Sequence, residues 1–192
     1  SYLSLYTVNK IFENSGLNIF DVQELKTHGG SLRIFAKHKE NNSISISENV
    51  AQLINFEVEN GITDINYYKN FQNTALSVKF SLLNFLLKCK KENKIVAGYG
   101  AAAKGNTLLN FCGIKNDLIL FISDANPHKN NKFLPGSHIP VVSEEFIKKN
   151  KPDFVLILPW NLSDEIIHQL SYISEWGGKF VVPIPELKII HS

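Results

Sequence analysis

A glycine-rich segment in the second half of the chain carries the clearest chemical signal. The apolar run at Ile95–Ala97 leads into Gly98 and Gly100, and alanines and Lys104 follow where a helix is expected to begin. Glycines permit positive φ and close approach to a ligand, and the free N–H groups at a helix start attract phosphate. The Gly-x-Gly-x-x-x-Lys-Gly spacing departs from the dinucleotide fingerprint and from the phosphate loop. It therefore predicts a phosphate or diphosphate site, with a turn that merely packs tightly as the alternative.

Two other loops carry polar side chains after predicted strands. Asp124 follows a strand at Leu118–Ile122, where dinucleotide folds place an acid that accepts a hydrogen bond from a ribose hydroxyl. An Asx turn or a cap explains Asp124 equally well. Trp160 and Asn161 follow a strand at Phe154–Leu158, where the indole can stack and the amide can read a base or cap the next helix.

Histidines and a long loop are further candidates. His28 precedes Gly29 and Gly30, so a substrate can approach an imidazole that titrates near neutrality, although a histidine in a turn is commonly structural. The polar segment Lys129–Ile139 is either a binding loop or a surface excursion. The remaining histidines lack ligand spacing, and no metal site is predicted.

Composition restricts the class of protein. The 192 residues are 44% hydrophobic with a net charge of +2, which predicts a sizeable core and no nucleic-acid partner. No apolar run reaches membrane-spanning length and no signal peptide opens the chain, so a cytoplasmic protein without a membrane partner is expected. Cys89 and Cys112 predict reduced thiols. The absence of methionine predicts a piece of a longer polypeptide, and removal of the initiator is the alternative.

The apolar pattern predicts two segments before the glycine-rich part. Residues 1–40 contain a helix and two alternating strands without a core of their own, as expected for the end of a larger sheet. Residues 41–93 form a helical linker, in which a capping box at Ser45 and Glu48 begins one helix. Apolar positions at helical spacing continue for about twenty-five residues from Asp64, which predicts a long helix bridging two lobes.

Residues 94–192 alternate short apolar strands with helical segments. Continuous apolar strands joined by helices are typical of a parallel sheet covered on both faces. The predicted fold class is therefore α/β, a Rossmann-like parallel sheet with helices on both faces. The ligand of such a sheet lies beyond the carboxyl ends of its strands.

Four separated motifs, in order over nearly the whole chain, resemble one family. They are Thr27-His-Gly-Gly-Ser-Leu-Arg33, Gly98-Tyr-Gly-Ala-Ala-Ala-Lys-Gly-Asn-Thr107, Pro135-Gly-Ser-His-Ile-Pro140 and Leu158-Pro-Trp-Asn-Leu162. They resemble the C-terminal half of S-adenosylmethionine-dependent C-methyltransferases that act on nucleotide-linked keto-deoxysugars. The opening Ser1-Tyr2-Leu3-Ser4 resembles the segment that follows a Glu-His pair in that family.

The resemblance implies a division of labour within a longer parent enzyme. Residues 1–40 are expected to end a class I methyltransferase domain, and residues 94–192 to hold a dTDP-linked sugar. In such enzymes a base removes the proton beside the sugar ketone, and the enolate attacks the sulfonium methyl group. That base, the histidine of the Glu-His pair, and the residues that bind S-adenosylmethionine are expected upstream of Ser1. The parent is thus expected to be a methyltransferase, and this part alone to be inactive and to hold no cofactor.

The resemblance also implies roles for individual residues. His28 is expected to position the sugar or relay a proton, near a substrate cleft with Ser31 and Arg33. Tyr2 and Tyr99 are expected to contact substrate as well. The residues expected to cradle the diphosphate are Gly98, Gly100, Ala103, Lys104, Gly105 and Asn106. Those expected to border the nucleoside are Asp124, Asn126, Trp160 and Asn161.

Two other functions stay open at this point. The chain can be an NAD(P)-binding Rossmann domain of an oxidoreductase, with the dinucleotide at the same glycine turn. It can also be a non-catalytic docking module whose sheet has lost its ligand. The glycine turn and Lys104 argue against that loss.

Overall fold

The computed structural model describes residues 2–25 and 27–191, with only the backbone of His28. The chain divides into two compact units, Ser1–Phe71 and Gln72–Ser192. Segment 41–93, predicted as a helical linker, is shared between them. Within the described residues, no helix is long and apolar enough to cross a membrane.

The first unit is an antiparallel pair of strands with flanking helices. A small core forms from Leu5, Ile19, Val22 and Val50. The carboxylate of Glu57 accepts hydrogen bonds from the N–H groups of Leu5 and Tyr6 and so caps the first helix. The elements of this unit are α1 (Leu5–Asn14), β1 (Leu17–Leu25), β2 (Ser31–His38), α2 (Glu48–Glu59) and α3 (Ile65–Lys69).

The predicted first helix and the two strands after it are confirmed, and two helix starts differ from prediction. The N-cap of α2 is Ser47, whose hydroxyl accepts from the N–H of Asn49, so the predicted capping box at Ser45 does not form. The single long helix predicted after Asp64 is two helices, since α3 ends at Lys69 and the next begins at Phe71. None of the α3 side chains is buried, so the helical spacing of apolar residues in this segment does not correspond to a buried helix face.

The second unit, as far as the structure describes it, is a seven-stranded sheet with helices on both faces. The prediction of a largely parallel α/β sheet is confirmed. The elements in chain order are α4 (Phe71–Lys91), β3 (Val96–Tyr99), α5 (Ala103–Cys112), β4 (Ile122–Ser123), β5 (Lys132–Phe133), β6 (Pro140–Val142), α6 (Glu145–Asn150), β7 (Phe154–Ile157), α7 (Ser163–Gln169), β8 (Lys179–Val182) and β9 (Lys188–His191).

The strand order β5-β6-β4-β3-β7-β8-β9 explains where a ligand is expected. Strands β6, β4, β3, β7 and β8 are parallel neighbours, and β5 and β9 pair antiparallel at the two edges. The chain runs outward from β3 through β4 to β6 and then returns to β7 on the other side of β3. The order therefore reverses between β3 and β7, which defines the crevice used by open α/β sheets.

Two cores cover the faces of this sheet. Leu82 and Leu86 of α4 and Leu109 of α5 pack against one face, and Ile147 of α6 and Ile166 of α7 pack against the other. Cys89 and Cys112 are buried free thiols, as predicted. Burial is the main cause that raises the pKa of Cys89 to about 11 and also raises the pKa of Cys112.

Candidate functional site

The glycine turn after β3 is held tightly against its neighbours. Gly100 has a φ of +86°, and its N–H donates to the carbonyl of Ser123 at 2.7 Å. A Cβ atom at Gly100 would lie 2.6 Å from the Cδ and Cγ atoms of Pro159. Both the backbone conformation and the close approach of the β7 loop therefore require glycine here.

The N-terminus of α5 offers free donors. The N-cap, Ala102, makes no side-chain cap, and its carbonyl accepts from the N–H of Asn106. Within the described part of the chain, the N–H groups of Ala103, Lys104 and Gly105 have no hydrogen-bond partner. Free N–H groups and the helix dipole together favour an anion at this end of α5.

Lys104 links α5 to the loop after β7. Its Nζ donates a hydrogen bond to Oδ1 of Asn161 and lies 4.8 Å from the centroid of the Trp160 ring. Burial lowers the pKa of Lys104. Trp160 is half-buried and packs against the cores of both sheet faces, so it closes the end of the sheet where the strand order reverses. The three predicted residues therefore meet beside the helix terminus, with the lysine as their centre.

Asp124 bridges the second loop to the glycine turn. Its Oδ1 accepts from the N–H of Asn126 at 2.8 Å, which confirms the Asx turn that the sequence left as one of two interpretations. Its Oδ2 accepts from the N–H of Ala101 at 2.7 Å and from Nζ of Lys129 at 2.9 Å. The side chain of Asn126 caps the following turn by accepting from the N–H of His128.

Lys129, predicted only as the first residue of a candidate binding loop, lies against the glycine turn. Its Nζ also donates to the carbonyl of Ala101 at 3.1 Å, so it contacts the turn as well as Asp124. A lysine five positions after an acid at a strand end was the available signal. The predicted loop Lys129–Ile139 contains β5, and Leu134 and Ser137 within it are buried.

Asn106 and the Pro135–Pro140 motif are connected through Asn110. The Nδ2 of Asn110 donates to the side-chain Oδ1 of Asn106 and to the carbonyl of Pro135. A Cβ atom at Gly136 would lie 2.2 Å from Oδ1 of Asn110. The loop is thus packed onto α5, while a contact between the loop and a ligand stays a prediction.

Tyr99 turns away from the glycine turn. Its side chain lies in the core that α6 and α7 cover, where its hydroxyl donates to Glu144 at 3.2 Å and accepts from Gln169 at 2.8 Å. Burial first, and then the Glu144 carboxylate, raise the pKa of Tyr99 to about 12. Only the backbone of Tyr99 therefore belongs to the candidate site.

The raised pKa of Tyr99 predicts a loss of stability in alkaline solution. Unfolded chains ionise the phenol near the ordinary value of 10.0, and the folded chain near 12, so the folded state binds the proton more tightly. The stabilisation is complete below pH 10 and is lost as the pH rises through about 12. Urea unfolding followed by circular dichroism should show a steeper loss between these pH values for the wild type than for Tyr99→Phe. Equal slopes would contradict the assignment.

The other predicted site residues belong to the first unit. Ser31 donates through Oγ to the carbonyl of Thr27, and Arg33 contacts Oε1 of Gln23 at 3.5 Å. Tyr2 is fully exposed. The side chain of His28 lies outside the described residues, so its proposed role in proton transfer stays a prediction. In the ranges 2–25 and 27–191, no group of three or more His, Cys, Asp or Glu side chains is placed to hold a metal ion.

Comparisons with known proteins identify the family of the chain. The chain is 37% identical over 192 residues to the C-methyltransferase NovU of Streptomyces niveus and spans 46% of that protein. The solved UDP-D-quinovosamine 4-dehydrogenase from Vibrio fischeri is 19% identical and covers 50% of this chain and 93% of its own, with a TM-score of 0.37, which is too low to inform on function. Residues 26–185 match the family described as the C-methyltransferase C-terminal domain. The chain therefore belongs to the family of the C-methyltransferase C-terminal domain.

Proposed function

We propose that the chain is the part of an S-adenosylmethionine-dependent C-methyltransferase that holds the nucleotide-linked keto-deoxysugar. The single observation that carries the proposal is the uncapped N-terminus of α5, with free N–H groups at Ala103, Lys104 and Gly105 beside the ammonium of Lys104. A nucleoside diphosphate supplies the anionic oxygens that such donors bind. Membership of the family and the similarity to a C-methyltransferase support the methyl-transfer class.

The residues of the second unit divide the proposed ligand between them. The α5 terminus and Lys104 bind the diphosphate, and the neighbouring Trp160, Asn161 and Asn126 border the nucleoside. Lys104 leaves its bond with Asn161 or shares it when it donates to phosphate oxygens, because an ammonium has three donors. Because the sugar is covalently joined to the diphosphate, binding of the diphosphate also fixes the position of the sugar ring for methyl transfer.

S-adenosylmethionine itself does not fit the described residues of this chain. As far as the structure describes the first unit, it holds an antiparallel strand pair and no strand, glycine turn and helix in succession that would cradle the cofactor. In the second unit, the glycine turn is assigned to the diphosphate, and Asp124 is 8% exposed and already accepts three hydrogen bonds within the protein. We therefore assign the cofactor site and the base that forms the enolate to another part of a cytoplasmic parent polypeptide. For His28 we propose that it positions the sugar or relays a proton.

Ligand binding by this chain tests the proposal. We expect saturation-transfer NMR and calorimetry to detect thymidine diphosphate, and to detect neither NAD nor S-adenosylmethionine at the same concentration. Binding of NAD without thymidine diphosphate would support an oxidoreductase instead. Binding of none of the three would support a docking module that has lost its ligand.

A further inference from the structure

Asp124 stands where dinucleotide-binding sheets place their ribose acceptor, yet its carboxylate already accepts three hydrogen bonds within the protein. It follows β4, the second strand of the parallel series, and it is 8% exposed. In dinucleotide folds an acid at this point accepts a hydrogen bond from a ribose hydroxyl. Here the carboxylate accepts from the N–H groups of Asn126 and Ala101 and from the ammonium of Lys129.

Lys129 completes a closed arrangement around Ala101. The N–H of Ala101 donates to Oδ2 of Asp124, and the carbonyl of Ala101 accepts from Nζ of Lys129, which itself donates to the same Oδ2. Ala101 lies between Gly100, the residue with positive φ, and Ala102, the N-cap of α5. Because both polar groups of Ala101 are held, the direction in which the chain enters α5 is held as well.

We propose that Asp124 and Lys129 act together as a positioning pair that fixes the glycine turn for anion binding, and that this use of Asp124 replaces its use as a ribose acceptor. The inference rests on the proposed diphosphate site at α5. It deepens that proposal, because the site then recognises a nucleotide through its phosphates and not through a ribose diol held by the acid. A dinucleotide loses the contact that anchors its adenosine half in related sheets.

The two partners differ in exposure, and this difference decides which variant tests the pair. The side chain of Lys129 is 42% exposed and that of Asp124 is 9% exposed, at an N···O distance of 2.9 Å. Removing the lysine therefore leaves a carboxylate buried without its cation, whereas removing the charge of Asp124 leaves a lysine that water still reaches. Asp124→Asn is consequently the variant that leaves no uncompensated buried charge, and it distinguishes a positioning role of Lys129 from direct binding of phosphate by its ammonium.

The decisive experiment measures calorimetric affinity for thymidine diphosphate. If the pair positions the turn, Asp124→Asn and Lys129→Met each weaken binding by about tenfold. The double variant then binds as tightly as whichever single variant has the lower affinity, because the two changes remove the same interaction. Lys129→Arg should retain most of the affinity. If Lys129 instead binds the phosphates itself, Asp124→Asn frees its charge, and binding becomes tighter or stays the same, which would overturn the inference.

Two controls keep this result distinct from the underlying proposal. Lys115→Met, at an exposed lysine of the same unit, should leave the affinity unchanged. The amide resonance of Ala101 in the ligand-free protein should shift in Asp124→Asn and Lys129→Met but not in Lys115→Met, a readout that a general loss of stability does not produce. Absence of binding by the wild type would refute the diphosphate site itself. Binding by the wild type with unaltered affinity in Asp124→Asn would refute only the positioning pair.

Discussion

Lys104→Met is expected to weaken the binding of thymidine diphosphate by about 1 to 3 kcal/mol, the range for a charge-assisted hydrogen bond. Methionine keeps the length and much of the packing of the lysine stem, so the change removes the ammonium and its donors. Burial lowers the pKa of Lys104, and a partly desolvated ammonium forms stronger bonds to an anion than one in water. Calorimetric titration at fixed ionic strength measures the loss.

The ligand itself provides the control for this variant. Thymidine lacks phosphates, so Lys104→Met should lower its affinity far less than it lowers the affinity for thymidine diphosphate. Screening by salt should also reduce the difference between the two proteins for thymidine diphosphate. Equal affinity of both proteins for thymidine diphosphate would show that Lys104 serves only its contacts with Asn161 and Trp160, and the docking-module interpretation would gain.

The glycine turn could be predicted because its signal is local. An apolar strand, paired glycines and alanines lie within a dozen residues of the sequence, and each acts through backbone conformation. Asp124 and Trp160 could be placed near the turn for a topological reason, since the carboxyl ends of parallel strands meet at one edge of the sheet. The prediction of a shared site needed no knowledge of side-chain contacts.

The partners within the site could not be predicted, because they are distant in sequence. Asn161 is 57 residues from Lys104, and Ala101 is 28 residues from Lys129. Pairing of this kind depends on the distance between loops and on rotamers, which residue types alone do not encode. Lys104, which was predicted to bind phosphate, donates a hydrogen bond to Asn161 of the protein. Asp124, for which a ribose contact was one of two interpretations, accepts a hydrogen bond from Ala101 in the glycine turn.

The direction of Tyr99 shows a different limit. Alternation along β3 places Ala97 and Tyr99 on one face and Val96 on the other. The predicted motif included Tyr99 because it is adjacent in sequence to Gly98 and Gly100. Successive side chains of a strand point to opposite faces, so adjacency in sequence does not place the Tyr99 side chain in the site. The break at Asn70 was also concealed by the pattern, since helical spacing continues through it although no side chain of α3 is buried and the first buried side chain of α4 is Leu82.

Gly100→Ala is expected to lower the free energy of unfolding of the second unit by about 2 to 4 kcal/mol. Two effects add. The φ of +86° is unfavourable for a residue with a Cβ atom, and that atom would lie 2.6 Å from two carbons of the Pro159 ring. A proline ring is stiff and joined to its own backbone, so it cannot move aside as the tip of a long side chain does. Both tryptophans, Trp160 and Trp176, lie in the second unit, so tryptophan fluorescence in urea follows that unit alone.

Two further glycines separate these effects. Gly113 has a φ of +74° with nothing within 4 Å of an added Cβ, so Gly113→Ala should cost only the backbone term of about 1 kcal/mol. Gly98→Ala would meet chiefly the terminal Cδ1 of Ile122, which can change rotamer, and should also cost less than Gly100→Ala. Because Pro159 joins β7 to Trp160, the clash at Gly100 acts directly on the loop that holds Lys104. If Gly100→Ala and Gly113→Ala lowered the free energy of unfolding equally, the loop after β7 would move aside at no cost. Close packing between the glycine turn and this loop would then not define the site.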